Sequence, residues 1–424
     1  MALNRIRTWL AACLAVTLLS TPGFAADPVE SDMQLFAPVE TEGFGGGVRA
    51  NEGFFATIDF LQWTISKPNT TTVGAPGLTR NVYLDANNFF VESNSLDTNF
   101  INSGSTLGER FEVGTIDDGE GMMLRGWYLH TLSQKATFSG ADVMFSAPTI
   151  PGMVNNSPAG TANLLQGFVD VAGNIRDLPV VFDDLQIKNA ASAYRVDLDY
   201  IHRMEPTEHC GTFEWNFGVG YVNFDEQFDM AEPNLLQAVP QTSGSTGGTT
   251  TNIVSRSGSV LNDSYWYTHA INNIVGPELS LRWFRTYDHW TWDAQGGFLA
   301  GYNRQNITQT GVFAEQADNL QSLYYHGMVG TLLYLLPTSF QNSAFLNEFT
   351  AVADFNANVS YAITRSVSIR LGYSFTWMDN IARPVDMINY QIGPGVGQKM
   401  GIITANNKQD VFIQGWNIGL TLNR

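Results

Sequence analysis

The chain has 424 residues, a formal charge of −18 from 40 acidic and 22 basic residues, and only 15% charged residues overall. So acidic a balance offers no basic surface to duplex phosphates, which excludes nucleic acid as a partner. The low charge content, against roughly 25% in soluble domains, leaves two or three globular units or one large sheet as the candidate architectures.

The N-terminus reads as a targeting segment. Arg5 and Arg7 precede an apolar run from Trp9 to Leu19 that is too short to cross a bilayer, and Gly23-Phe24-Ala25 sets small residues where a signal peptidase reads. We expect a secretory signal over residues 1–25, cleaved after Ala25, a polar lead-in over 26–52, and the folded body over 53–424. Leu10-Ala11-Ala12-Cys13 resembles a lipoprotein box, but cleavage there would leave little apolar segment before it. Past the signal only Cys210 remains, so no intramolecular disulfide can form.

From residue 54 onward the recurring pattern is alternation with a period of two. Residues 54–66 make an opening strand; residues 121–132 and 135–145 follow, joined through Ser133-Gln134. Tyr194, Val196, Leu198 and Tyr200 then oppose Arg195, Asp197 and Asp199, and after a turn at Pro206, Phe213, Trp215, Phe217 and Val219 oppose Glu214, Asn216 and Gly218. Val275, Leu279, Leu281 and Trp283 oppose Glu278, Ser280 and Arg282, and beyond Asp288-His289, Trp290, Trp292 and Phe298 oppose Thr291, Asp293 and Gln295. A last hairpin pairs 349–363 with 367–377, and residues 410–424 close the set with Phe412, Trp416, Ile418 and Leu420 against Gly415, Asn417 and Gly419. Ten strands result, with hairpins hidden in 67–120 or 146–193 raising the even number to as many as fourteen.

The connections between them alternate long and short without a slip. Residues 67–120, 146–193, the stretch from 229, 304–345 and 379–409 are long, whereas each intervening turn is short. Outer-membrane barrels have short periplasmic turns and long extracellular loops. A strand whose larger side chains sit on one face and whose small or charged ones sit on the other suits such a barrel, lipid outside and lumen inside. We therefore expect an all-β, closed antiparallel transmembrane barrel in the cell outer membrane, with outer-membrane lipid and the barrel-assembly machinery as partners and self-association left open. The candidate pore-lining residues are Arg195, Asp197, Glu214, Glu278, Arg282, Asp293, Asp354 and Arg370. Trp215, Trp283, Trp292, Trp377 and Trp416 are the candidates for a lipid-facing aromatic girdle. On this scheme Leu420→Arg is costly, and Asn417→Arg is cheap unless the lumen is already full.

Catalytic, cofactor and metal motifs do not emerge, and we expect no enzyme. His209-Cys210 with Glu208 and His202 matches no zinc spacing. Asp117-Asp118-Gly119-Glu120 reads as a solvated outer loop, with calcium the competing reading. Gly393-Pro394-Gly395-Val396-Gly397 lacks the lysine of a phosphate loop, and 241–259 is a Gly/Ser/Thr-rich flexible loop.

The opening "GFFATIDFLQWTISKP" and the ending in which "LGYSFTWMDNIARPVDMINY" precedes "QDVFIQGWNIGLTLNR" resemble the pore-forming barrel family related to the Legionella major outer membrane protein, found in planctomycete-type bacteria. The resemblance covers the two ends and implies an outer-membrane barrel, a porin passing small hydrophilic solutes, with no catalytic residues. An acidic lumen, if open, would favour cations. The competing expectation is a structural or adhesive barrel with a filled lumen, acting through its loops.

Overall fold

A computed structural model describes residues 53–74, 80–84, 90–94, 96–146, 177–205, 211–232, 236–242, 249–255, 264–313, 338–364, 366–390 and 401–423. The expected signal peptide, the lead-in, the His209-Cys210 pair and the glycine-rich 393–397 lie outside the described residues.

Ten strands form one closed antiparallel barrel. They are β1 (Gly53–Ile65), β2 (Gly104–Asp117), β3 (Glu120–Ser146), β4 (Asp177–Arg203), β5 (Thr212–Ala231), β6 (Tyr265–Tyr287), β7 (Trp290–Phe313), β8 (Thr338–Ala362), β9 (Val367–Ile381) and β10 (Gln409–Asn423). Each pairs with its neighbours in chain order, and β10 returns to β1 in a seam running from Phe55 opposite Asn423 to Ile65 opposite Ile413. Closure leaves no free strand edge in the wall, which hydrocarbon would not tolerate. Inside the long connections, Arg80–Leu84 pairs with Phe90–Asn94, and Leu236–Thr242 pairs with Thr249–Ser255. The Gly/Ser/Thr-rich stretch read as a flexible loop therefore contains Thr249–Ser255, one arm of a ribbon.

The strand count matches the sequence reading, but one strand differs. Residues 121–132 and 135–145 belong to a single strand, β3, and the missing partner is β2, within the stretch read as loop. A bulge explains the split: Leu129 faces Ala193 while Leu132 faces Ala191, so one extra residue on β3 flips the alternation and imitates a turn. The true turn is Asp118-Gly119, with φ of 47° and 83°, and Asp117 opposite Glu120. Two successive left-handed residues are what a tight two-residue hairpin needs, and Asp-Gly supplies them at little steric cost. This acidic tetrad lies at the short-turn end of the barrel instead of in an outer loop.

The outer wall is apolar. Phe60, Phe345, Phe349, Trp416, Ile418 and Leu420 are all exposed on it. The five girdle candidates point the same way: Trp292 and Trp416 are exposed, while Trp215, Trp283 and Trp377 are partly covered by neighbours. Three other tryptophans do not join them. Trp63, Trp127 and Trp266 face inward and are buried, with Trp63 and Trp127 edge to face at 5.4 Å.

Candidate functional site: the barrel lumen

The lumen is built in layers, each dictated by which residues fall on the inward parity of each strand. Nearest the short turns, a polar cavity of about 80 Å³ is lined by residues including Thr57, Arg282, Asp288, Thr291, Ser360 and Arg370. His289 and Asp288 form part of its rim, and the hydrogen bond from His289 holds the exposed Asp288 carboxyl below its ordinary range.

Above the cavity lies a belt of buried ion pairs. Arg195 reaches Asp197 at 2.8 Å, Glu278 at 2.7 Å and Asp354 at 2.6 Å, so one guanidinium from β4 ties together β6 and β8 across the interior. Arg125 of β3 contacts Asp197 and Asp199 at 3.1 and 3.3 Å and pairs closely with Glu278. Arg110 holds Asp59 at 2.6 Å and donates to Asn356 and Ser374 at 3.0 and 3.1 Å. Arg370 holds Glu112 at 3.1 Å, and Arg203 holds Glu214 at 2.7 Å. Burying such charges is tolerable only because each finds an opposite partner. A cavity of about 30 Å³ between Arg110, Arg125, Arg195 and the two tryptophans has room for about one water.

All eight candidate lining residues thus sit inside the barrel, each less than a tenth exposed. The sequence reading missed Asp59, Arg110, Glu112 and Arg125, which complete the same network. Arg110 and Glu112 belong to β2, whose mixture of glycine and charge hid the strand. Arg125 alternates with Met123 and Trp127 and was legible only once the inward face of β3 is known.

The third layer is apolar, and it overturns the expectation of an inner face made of small and polar groups. Leu61, Trp63, Ile65, Trp127, Leu129 and Phe224 pack with inward residues from every other strand except β2, which contributes none. Opposite Leu129 the β2 residue is Gly108, where a Cβ would come within 2.2 Å of the Tyr128 carbonyl oxygen. Each member of this layer is at most 8% exposed, so solvent scarcely reaches these side chains.

The fourth layer is residues 382–390, the first part of the connection that follows β9, folded back into the mouth. Ala382, Arg383, Val385, Met387, Ile388 and Tyr390 are buried there. Asn272 of β6 grips it as a strand would, accepting from the Ala382 N–H at 2.8 Å and donating to the Ala382 carbonyl at 2.9 Å. Arg383 donates to Glu226 of β5 through Nε at 2.6 Å and Nη2 at 2.7 Å, and to the Ser66 carbonyl at 3.0 Å. Burial pushes the Asp386 carboxyl of this segment up from its ordinary value, opposed by hydrogen bonds from Thr71 and Asn69 and by the charge of Arg383. Among the described residues no cluster of His, Cys, Asp and Glu has the makings of a metal site.

A closed barrel with a lipid-facing apolar wall, short turns at one end and a charge-paired interior defines the class: an integral β-barrel of the outer membrane. Residues 91–423 match the family described as "Putative beta barrel porin-7 (BBP7)", and the chain belongs to that family. No curated protein sequence matches it. Solved structures similar to it include the outer membrane protease OmpT from Escherichia coli, at 9% identity and a TM-score of 0.34, over 88% of this chain and 98% of that one. The toluene transporter TodX from P. putida follows at 8% identity and a TM-score of 0.22, over 88% of this chain and 91% of that one. A Pseudomonas aeruginosa FadL homologue has 9% identity and a TM-score of 0.22, over 87% and 89%.

Proposed function

We propose that this porin-like barrel is a closed, structural member of the outer membrane whose business is the presentation of its long outer connections. The observation that carries this reading is the apolar layer around Trp63, Trp127 and Phe224, to which all strands but β2 contribute. A pore for hydrophilic solutes needs a wetted path, and an apolar constriction filled by side chains is dry. In planar bilayers the correctly inserted protein should be electrically silent, and stepwise conductance in the unmodified protein would defeat the proposal.

The second reading, passive diffusion of small hydrophilic solutes, is favoured by the family's description as a porin. It requires the Trp63 and Trp127 layer and the mouth segment to move aside. The narrower kinship with barrels related to the Legionella major outer membrane protein belongs to that same reading. Trp63→Ala with Trp127→Ala would then raise conductance above the unmodified barrel, and if current flows at all, its reversal potential in a salt gradient reports the charge preference set by the belt.

A further inference from the structure

We propose that the cavity at the periplasmic end of the lumen is a binding site for a small oxyanion, phosphate or carboxylate in chemistry, with Arg282 as its principal ligand. Arg282 is buried and lines this cavity, yet among the described residues its ion-pair partners are carboxylates beyond hydrogen-bonding distance: Asp293 at 3.8 Å and Glu214 at 4.0 Å. Its Nε, set back from the cavity surface, has no hydrogen-bond partner among the described residues. Arg370, on the same cavity, spends one nitrogen on Glu112 at 3.1 Å, stands 4.0 Å from Asp293 and also leaves its Nε without a partner. A guanidinium carries five donors, and charge-assisted bonds to oxygen close to about 2.7–2.9 Å. Both guanidiniums stand off the same Asp293 oxygen by about an ångström more than that, so each retains donors that Asp293 does not satisfy.

Around the cavity Arg203, Arg282 and Arg370 face Glu112, Glu214 and Asp293, with Asp288 on the rim, so the pairing and not a surplus of positive charge decides which donors are free. Glu214 is held by Arg203 at 2.7 Å and Glu112 by Arg370, so Arg282 is the cation of the belt without a close carboxylate of its own. Hydroxyls of Thr57, Thr291, Ser360, Ser368 and Thr421 line the rest of the cavity and can turn to donate. Its volume of about 80 Å³ takes an inorganic anion or a single carboxylate and is too small for a lipid headgroup. The rim contains Asp288, His289, Thr364 and Ser366, all at the short turns, so entry is from the periplasm. Asp293 competes for the same guanidiniums and limits affinity, which makes it the useful second handle.

Calorimetric titration of the full-length protein in detergent at low salt, with inorganic phosphate and glycerophosphoglycerol run side by side, tests this. The unmodified protein should bind phosphate and not the bulkier headgroup. Arg282→Gln should weaken binding by about tenfold or more, the worth of one charge-assisted contact. Asp293→Asn should tighten it several-fold, because the competing charge is gone while the oxygen that accepts from Asn358 at 2.8 Å is kept. Loss of fold could imitate the first result but not the second. No phosphate binding by the unmodified protein means a water-filled cavity and overturns the proposal, as do two variants that bind like the parent, or preference for the headgroup.

Discussion

Arg383 and Glu226 meet in a two-pronged ion pair at the barrel mouth, with Nε–Oε2 and Nη2–Oε1 distances of 2.6 and 2.7 Å and neither side chain more than 1% exposed. The pair joins β5 to a segment 157 positions away in sequence. Arg383 also stacks over Phe224, 5.7 Å from the ring centre, so its charge is placed against both a carboxylate and an aromatic face.

Truncating one partner of such a pair leaves the other charge buried and unmatched. Glu226→Ala should cost about 3–5 kcal/mol in the stability of the mouth. The loss should appear as faster hydrogen exchange over Ala382–Tyr390. The double replacement Glu226→Met with Arg383→Met should recover much of it, since an apolar pair of similar size avoids both desolvation costs. A double variant no better than the single would mean that the pair does not hold the segment.

The closing strand discriminates lipid from lumen less simply than its pattern implies. Leu420 is 52% exposed on the outer wall, and Leu420→Arg should cost about 2–4 kcal/mol near the bilayer midplane, less near an interface. Asn417 is only 1% exposed, donates to Asn358 at 3.0 Å and accepts from Ser374 at 3.1 Å. The space is full, so Asn417→Arg should also destabilise, by roughly 1–3 kcal/mol from overpacking, with the lost hydrogen bonds added. Urea unfolding in vesicles should place both below the parent. A neutral Asn417→Arg would mean that the interior is roomier than described.

Gly419, like Gly415, marks a tight point of the seam. A Cβ there would lie 2.1 Å from Asp59 Oδ1 and 2.2 Å from the Ile58 carbonyl oxygen. Gly419→Ala should therefore push Asp59 off Arg110 or part the strands, costing about 1–3 kcal/mol. The same change at Gly296, where nothing lies within 4 Å, should be close to neutral. Comparing the two by heat-induced unfolding separates crowding from loss of backbone freedom.

Acid should tighten the mouth through Asp386. Burial raises its carboxyl in the fold, so the protonated form is the favoured one. Its stabilising contribution is complete below the unfolded value of about 3.9 and is lost as pH rises through the raised folded value. Protection factors of this segment, with the intrinsic pH dependence of exchange divided out, should be higher at about pH 4 than at about pH 7, and Asp386→Asn should reduce the difference. An unchanged pH dependence in the variant would assign the effect to other groups.

Alternation and loop asymmetry revealed most of the barrel because a membrane wall has two faces in different media, and the pattern records both. Arg195, Asp197, Glu278 and Asp354 were legible as inward charges from parity alone. What parity cannot report is how far the opposing walls stand apart. Whether Arg195 meets Asp354, 159 residues away, or faces open water depends on barrel diameter. Val222, Phe224, Ile274 and Val352 were hidden for a related reason. An apolar side chain on the inward parity cancels the contrast on which the pattern depends, so the dry layer looks like a weak strand.

The order in which contacts can form is also fixed by this geometry. The seam joins Thr57 to Thr421, hydroxyl to hydroxyl at 3.0 Å and 364 residues apart, so its closure carries the largest loop-entropy cost in the wall and should come last. The segment gripped by Asn272 and Glu226 lies between the last two strands in sequence, and its Arg383 also reaches the Ser66 carbonyl at the end of β1. Once β5 and β6 stand, docking of this stretch should leave a closure far shorter than that between the two ends of the wall. The mouth segment then works as a clasp for the nascent barrel, and its grip should govern the speed of closure as well as the stability of the finished wall.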